Sequence, residues 1–294
     1  MWLGTILRTP TRIGTLLLVV MTVGACGSAR DGASGRAEAV GSFFPIAATL
    51  RALGGTTIAV RDLTPPGVEP HDLELTSDQV DAILDAELVV VMGQGFQPGV
   101  ERAAKNRTGA TVELLNRLHA GSDPHVWLDP VLMGRVVRLI APAVETTFPG
   151  QRAAVRQRRA AIEATLASLD AEYRTGLDAC DRDTLVTAHD SFGRLAHRYG
   201  LIQEPIAGID PAQEPDPRRV AELADLVDRQ QITTVFTEEL VSPRVAQTLA
   251  REAGVKTAVL DPIESPPNGT ATFGAYVTAM RTNLAVLRKA LGCA

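Results

Sequence analysis

The most restrictive feature of this sequence is a regular alternation between short runs rich in β-branched residues and longer amphipathic stretches. The alternation begins near residue 39 of the 294-residue chain and falls into two blocks. It is typical of βαβ units, in which helices cover both faces of a mostly parallel sheet. The predicted strands are 39–43, 57–63, 88–92 and 110–114 in the first block, and 184–188, 204–206, 233–237 and 256–260 in the second. The predicted helices are 45–52, 77–86, 99–105, 130–146, 191–199, 217–229, 243–253 and 273–291. The sequence therefore predicts an α/β protein with two lobes.

One long amphipathic segment separates the two blocks. Residues 151–180 contain no proline and one glycine, and their apolar residues recur at helical spacing. These apolar residues are Val155, Ile162, Leu166, Leu169, Tyr173 and Leu177. The spacing predicts one helix of about 28 residues, roughly 42 Å long, which would restrict hinge motion between the lobes. We expect an N-terminal lobe over 39–148, a linking helix over 149–180 and a C-terminal lobe over 181–294.

Composition and charge exclude some functions. Hydrophobic residues make up 45% of the chain, enough for one large core or two modest ones. Lys and Arg number 29 against 34 Asp and Glu, so the formal charge is −5. Nucleic acid is not an expected partner, because there is no basic excess to neutralise phosphates and aromatic residues are few.

Residues 1–25 have the pattern of an export signal. Arg8 and Arg12 precede an apolar stretch, 13–23, that is too short to span a bilayer as a helix. The stretch ends in Val-Gly-Ala before Cys26, which resembles the lipobox where bacterial lipoproteins are cleaved and acylated. An ordinary signal peptide with an incidental cysteine is the alternative. Residues 26–38 are typical of a flexible tether, so we expect a lipid anchor at Cys26 on the outer face of the cytoplasmic membrane.

The remaining two cysteines, Cys180 and Cys293, lie in the second half of the chain. Export would place them where a disulfide can persist. A bond between them would close a long loop and fix the last predicted helix. The sequence alone leaves the bonded and the free state open.

Three of the five histidines share one type of position. His71, His125 and His189 each lie in or just after a turn that joins a strand to a helix, where open α/β sheets bind ligands. Asp261 occupies the same type of position after the last predicted strand. Three imidazoles and one carboxylate would suit a four-coordinate Zn²⁺ in the cleft between the lobes. A single histidine at a strand end is more often a hydrogen-bonded loop residue, and spacing alone leaves both interpretations open.

Four motifs, in this order, resemble the metal-binding motifs of the solute-binding proteins of zinc and manganese ABC importers. The motifs are Gly67-Val-Glu-Pro-His71, Asp123-Pro-His-Val-Trp-Leu-Asp-Pro, Thr187-Ala-His-Asp-Ser-Phe-Gly and Val259-Leu-Asp-Pro. The resemblance extends from about residue 39 to residue 291. It implies two Rossmann-like lobes joined by one long rigid helix, with a transition metal in the cleft. It also implies delivery of the metal to an ABC permease and its ATPase by a monomeric protein, with a metallochaperone as a further partner.

The resemblance assigns His71 and His125 as metal ligands from the N-terminal lobe, and His189 and Asp261 as ligands from the C-terminal lobe. Members of the family that look manganese-selective have a carboxylate at the position of His189. Three imidazoles favour Zn²⁺ over Mn²⁺, which prefers oxygen ligands, so Mn²⁺ is the second choice. Glu238 and Glu239, at a strand end facing the same crevice, are alternative carboxylate ligands.

Other interpretations stay open at this point. The segment 114–122 holds only His119 and lacks the long His-rich loop that many zinc members carry, so the role of His119 is left undecided. A zinc hydrolase is less expected, because the chain has no His-Glu-x-x-His helix and a fourth protein ligand would occupy the position of the catalytic water. A surface adhesin of the same family is a further alternative. We therefore expect a protein that binds and carries zinc and is not an enzyme.

Overall fold

The computed structural model describes residues 1–4 and 39–294, and residues 39–294 belong to one compact unit. The predicted lipidation of Cys26, the tether and nearly all of the signal peptide lie outside the described residues. These assignments and the proposed lobe boundaries stay predictions. Among the described helices, none is both long and apolar enough to cross a membrane.

The N-terminal lobe is a parallel sheet covered by helices. Its strands are β1 (Ala39–Gly41), β2 (Val60–Asp62), β3 (Leu88–Val91) and β4 (Ala110–Glu113). Its helices are α1 (Phe44–Gly54), α2 (Ser77–Asp85), α3 (Pro98–Lys105), α4 (Leu114–Leu118) and α5 (Pro130–Thr147). The strand order is β2-β1-β3-β4, with Val40 in register with Arg61 on one side and Val89 on the other. All four residues of β3 are buried, as expected for a parallel strand covered on both faces.

The C-terminal lobe repeats this topology. Its strands are β5 (Thr184–Thr187), β6 (Ile202–Pro205), β7 (Thr234–Thr237) and β8 (Lys256–Val259), in the order β6-β5-β7-β8. Its helices are α7 (Gly193–Arg198), α8 (Pro217–Arg229), α9 (Arg244–Glu252) and α10 (Phe273–Leu291). Short 3-10 turns lie before and after α5 of the first lobe, at Val126–Leu128 and Pro149–Gln151, and before α10 of the second lobe, at Pro267–Gly269. In each lobe the order of the strands changes direction between the two central strands, β1 and β3 in the first lobe and β5 and β7 in the second. Open α/β sheets leave a crevice for ligands at this point.

The long linking helix is α6 (Arg152–Leu177), with 26 residues and a length of about 39 Å. Its buried residues are Val155, Ile162, Leu166, Leu169, Tyr173 and Leu177, the set that the apolar spacing predicts. The helix packs on α5 and α1 of the first lobe and on α10 of the second. The prediction of a single linking helix is confirmed.

Hydrogen bonds from large aromatic side chains cross between the lobes. The indole N–H of Trp127 donates to the carbonyl of Pro262 at 2.7 Å, and the hydroxyl of Tyr276 donates to the carbonyl of Trp127 at 2.6 Å. Both side chains are fully buried and belong to one apolar core that includes residues of both lobes. The two lobes therefore share one continuous core, and the restriction of hinge motion stays a prediction.

Two local features connect the fold to the residues singled out in the sequence. Asp129 begins α5 as its N-cap, since its carboxylate accepts hydrogen bonds from the backbone N–H groups of Val131 and Leu132. A disulfide joins Cys180, just after α6, to Cys293, just after α10. The bond therefore ties the end of the chain to the end of the linking helix.

Candidate metal site

Four side chains from both lobes meet in the cleft. His71 lies in the loop between β2 and α2, His125 directly precedes the 3-10 turn Val126–Leu128, His189 follows β5 and Glu264 follows β8. In the part of the chain that the structure describes, these four residues form the group of metal-binding side chains whose ligand atoms all lie within 4.8 Å of one another. The structure thus brings together the three histidines that the sequence singles out.

The spacing of the ligand atoms fits a tetrahedral ion. The Nε2 atoms of His125 and His189 are 3.4 Å apart. Oε1 of Glu264 lies 3.6 Å from Nε2 of His125 and 3.7 Å from Nε2 of His71. Bonds of 2.0–2.1 Å to a tetrahedral Zn²⁺ place ligand atoms about 3.3–3.4 Å from one another. A small contraction of the four side chains around an ion would reach this geometry.

The four side chains are withdrawn from solvent. Those of His125, His189 and Glu264 are fully buried, and that of His71 is 9% exposed. Nε2 of His71 and both carboxylate oxygens of Glu264 have no hydrogen-bond partner. A buried polar atom without a partner costs about 1–3 kcal/mol. A bound cation would give Nε2 of His71 and one carboxylate oxygen of Glu264 a partner at once.

Carboxylates hold the outer nitrogen of two of the rings. Nδ1 of His125 lies 2.9 Å from Oδ1 of Asp123, and Nδ1 of His189 lies 2.6 Å from Oε2 of Glu238. Such bonds fix a proton on Nδ1 and direct the lone pair of Nε2 toward a metal. Glu238, an alternative ligand considered from the sequence, therefore contacts the ring nitrogen that faces away from the group.

Charge within the site is strongly coupled. Burial opposes ionisation of Glu264, but the close approach of the His125 and His71 rings outweighs it and lowers the pKa of Glu264 to about 2. Burial likewise opposes protonation of His125, but the hydrogen bond to Asp123 and the nearby carboxylate of Glu264 outweigh it and raise the pKa of His125 to about 9. Without a metal, near neutral pH, a carboxylate and an imidazolium face each other. A cation would take the place of the imidazolium proton.

Asp261 is not in the group, and here the structure differs from the expectation. Its Oδ1 accepts a hydrogen bond from the backbone N–H of Ile263 at 2.7 Å, and its own N–H donates to Asn283. Ile263 has a φ of 59°, a left-handed conformation that is rare for a β-branched residue. The turn made by Asp261 and Ile263 carries the chain back so that Glu264, three residues later, supplies the carboxylate. Burial raises the pKa of Asp261 to about 6, which the hydrogen bond from Ile263 only partly offsets.

Aromatic rings pack against two histidines of the site, and a cavity adjoins the site beside His71. The ring centroid of Phe96 is 4.5 Å from that of His71, and the centroid of Trp127 is 5.1 Å from that of His125. A cavity of about 420 Å³ borders His71, and Phe96, Asp210 and Gln213 are among its other lining residues. His71 is thus the one partly exposed member of the group and adjoins open space. His119 lies apart, exposed at the end of α4.

Two parallel-sheet lobes joined by one long helix, with a buried group of three imidazoles and a carboxylate between them, define a metal-binding protein of the two-lobe solute-binding class. A family model described as "ZnuA: Zinc-uptake complex component A periplasmic" matches residues 40–290. The chain belongs to this family.

Named relatives and solved structures agree with the assignment. The zinc-binding lipoprotein AdcA of Streptococcus pneumoniae R6 is 30% identical over 289 residues, which cover 90% of this chain and 58% of AdcA. The chain thus spans less than two thirds of that relative. The high-affinity zinc uptake system protein ZnuA of Bacillus subtilis 168 is 30% identical over 300 residues and is 94% covered, with 92% of this chain. The structure of the laminin-binding protein Lmb of Streptococcus agalactiae matches with a TM-score of 0.80 and 32% identity, over 86% of this chain and 98% of Lmb.

Proposed function

We propose that this protein is the extracytoplasmic, high-affinity zinc-binding component of a metal ABC importer. It captures Zn²⁺ with His71, His125, His189 and Glu264 and delivers the ion to a membrane permease and its ATPase. The observation that carries the proposal is the buried meeting of four ligand atoms, two of which, Nε2 of His71 and the carboxylate oxygen of Glu264, have no hydrogen-bond partner. The names of AdcA and ZnuA, both zinc proteins, support the choice of cargo.

The donor set supports zinc over manganese. Three imidazole nitrogens and one carboxylate oxygen match the borderline-soft Zn²⁺, whereas Mn²⁺ prefers sites dominated by oxygen. The hydrogen bonds that Nδ1 of His125 and Nδ1 of His189 donate to Asp123 and Glu238 favour metal coordination through Nε2 of both rings. Mn²⁺ is therefore the weaker candidate.

The same geometry favours transport over hydrolysis. A catalytic zinc site keeps one coordination position open for water, which its protein ligands leave free. Here four protein side chains converge on one point, and three of them are fully buried. We propose that the protein is not an enzyme.

We further propose that the mature chain is exported and lipid-anchored through Cys26 on the outer face of the cytoplasmic membrane. The apolar N-terminal stretch, the small residues before Cys26 and the word "lipoprotein" in the name of AdcA support this. The disulfide between Cys180 and Cys293 suits an oxidising compartment. The protein would act as a monomer, with a metallochaperone as a further partner and no role in binding nucleic acid.

The test is metal analysis with competitive titration of the purified protein. We expect one tightly bound Zn²⁺ per chain, a large loss of affinity in Glu264→Gln and His189→Ala, and no hydrolase activity. Asp261→Asn is the matched control, because it changes a carboxylate outside the group. A preference for Mn²⁺, or zinc binding indifferent to the first two substitutions, would refute the proposal.

A surface adhesin is the second candidate. Lmb is described as a bifunctional protein with adhesin and metal-transporting activity. Deletion of the present protein separates the two roles: loss of growth under zinc limitation indicates transport, whereas altered attachment with normal zinc uptake indicates adhesion.

A further inference from the structure

Helix α7 of the C-terminal lobe reaches across the cleft to the loop that carries His125. The helix begins four residues after His189. Two of its arginines, Arg194 and Arg198, contact the N-terminal lobe, one on each side of His125 in sequence. The segment 189–198 therefore carries both His189 and the contacts to the loop that holds His125.

The guanidinium of Arg194 is held at several points. Its Nε donates to the backbone carbonyl of Asp123 at 3.0 Å and lies 3.2 Å from the carboxylate oxygen Oδ2 of the same residue. Its NH2 group donates to the carbonyls of Ala120 and Asp123. The Arg194 side chain is 18% exposed, so solvent screens these contacts only partly.

The other oxygen of Asp123 holds His125. Oδ1 accepts a hydrogen bond from the backbone N–H of His125 and lies 2.9 Å from its Nδ1. Burial favours the neutral acid, but hydrogen bonds from His125 and the charge of Arg194 outweigh it and hold the pKa of Asp123 below its usual range. A continuous chain of contacts thus leads from Arg194 through Asp123 to the Nε2 atom of His125 that faces the site.

We propose that Arg194 is a positioning residue that makes the orientation of His125 depend on contact with the C-terminal lobe. The inference rests on the proposed role of His125 as a zinc ligand. When the lobes are in contact, Arg194 fixes Asp123, and Asp123 fixes the ring of His125 with its proton on Nδ1. When the contact between Arg194 and Asp123 is broken, the N-terminal lobe loses a correctly oriented ligand. Handover of the ion would then need only a small movement at α7.

Arg198 offers a matched control on the same helix. Its Nε lies 2.5 Å from Oδ2 of Asp129, so it also forms an ion pair between the lobes. The other oxygen of Asp129 caps α5 and contacts no histidine. Arg198→Gln therefore removes a contact between the lobes and leaves the pair of Asp123 and His125 intact.

The experiment compares zinc affinity by competitive titration in the wild type, Arg194→Gln and Arg198→Gln. Loss of a residue that supports a metal-bound histidine costs about 10- to 100-fold in affinity. We expect Kd to rise about tenfold in Arg194→Gln, and to change less than about twofold in Arg198→Gln, with a similar loss of thermal stability in both. Arg194→Lys keeps a positive charge near Asp123 but cannot donate to the carbonyls of Ala120 and Asp123 as the guanidinium does. It should therefore bind zinc more tightly than Arg194→Gln and more weakly than the wild type. Equal losses in the two glutamine variants, or no loss in Arg194→Gln, would overturn the proposal.

Two further measurements identify the route and separate this inference from the proposed function. If Arg194 acts through Asp123, the double variant with Asp123→Asn binds zinc no more weakly than Asp123→Asn alone, whereas additive losses would overturn the route. Solvent exchange of the Nδ1 proton of His125, followed by NMR in the metal-free protein, should be faster in Arg194→Gln and unchanged in Arg198→Gln. This measurement needs no zinc, so it tests whether Arg194 orients His125 through Asp123 even if the wild type fails to bind the metal.

Discussion

Raising the pH from 7 to 9 should strengthen zinc binding by about two orders of magnitude. Burial opposes protonation of His125, but the hydrogen bond to Asp123 and the nearby carboxylate of Glu264 outweigh it and raise its pKa to about 9, so this imidazole is about 99% protonated at pH 7. Zinc binds only the neutral ring and must displace that proton. Two pH units correspond to about 2.7 kcal/mol, which is about 100-fold in affinity. We expect Kd to fall about tenfold for each pH unit between 7 and 9 and to level off above pH 9.

Glu264 contributes no proton in this range. Its pKa is lowered to about 2 because the close approach of the His125 and His71 rings outweighs burial, so it stays ionised from pH 4 upward. Glu69 can add a second proton, since burial and the nearby charge of Glu264 raise its pKa to about 9. Any proton that Glu69 releases makes the fall in Kd steeper than the tenfold per pH unit that His125 alone gives. Glu69→Gln removes the second source of protons, so the proton that this variant still releases on zinc binding comes from His125.

The assay is titration calorimetry in buffers of different ionisation enthalpy, which counts the protons released, together with chelator competition at each pH. At pH 7 the wild type should release about one proton from His125 and at most about one more from Glu69. A Kd that is constant between pH 7 and pH 9, with release below about half a proton at pH 7, would refute the reasoning.

The stability of the metal-free protein should change in the opposite direction. The raised pKa of His125 contributes stability that is complete below about pH 6.5 and lost as the pH rises through about 9. The lowered pKa of Glu264 contributes stability present above about pH 4.5 and lost only as the pH falls through about 2. The rise in Tm caused by a fixed excess of zinc should therefore grow between pH 7 and pH 9. A zinc-induced shift that shrinks over this range would contradict the assignment of the proton.

Three further predictions concern single residues. Glu264→Gln should weaken zinc binding at least about tenfold, because it removes a charged ligand, whereas Asp261→Asn should change Kd far less; equal effects in competitive titration would argue against the observed grouping. Cys293→Ser breaks a bond to Cys180 across 113 residues and should lower the free energy of unfolding by about 2–5 kcal/mol, measured by urea denaturation of the non-reduced protein. Trp127→Phe removes the indole bond between the lobes and should cost about 1–3 kcal/mol in the same assay, so an unchanged urea midpoint would show that this bond does not stabilise the fold.

The fold could be predicted in detail because its signals are local. The apolar spacing over 151–180 identifies the buried face of α6, and the Leu-Val-Val-Val run of β3 identifies a central strand. Helix α4 could not be predicted from the same signal. It has five residues, and its two buried leucines are too few to establish a helical period. The segment 114–122, for which the sequence predicts no helix, therefore contains a short one.

The contacts around the site between residues distant in sequence were beyond prediction for a different reason. Glu238 lies 49 residues from His189 in sequence, and Arg194 lies 71 residues from Asp123. No periodicity connects such positions, because their approach is decided by how the two lobes pack. The sequence identifies a strand end, where polar residues of several strands meet, but not the pairs that form there.

The choice between Asp261 and Glu264 shows where reasoning from position alone stops. Asp261 is the first polar residue after β8, so it has the same position as His189 after β5 and is the natural candidate. The carboxylate that joins the three histidines is instead decided by the turn that follows. Ile263 adopts a left-handed conformation that its β-branched side chain disfavours, and the Asp261 carboxylate and the packed core around it hold it there. Residue types and strand ends can locate a metal site, but which carboxylate enters it depends on a backbone conformation that local propensity would reject.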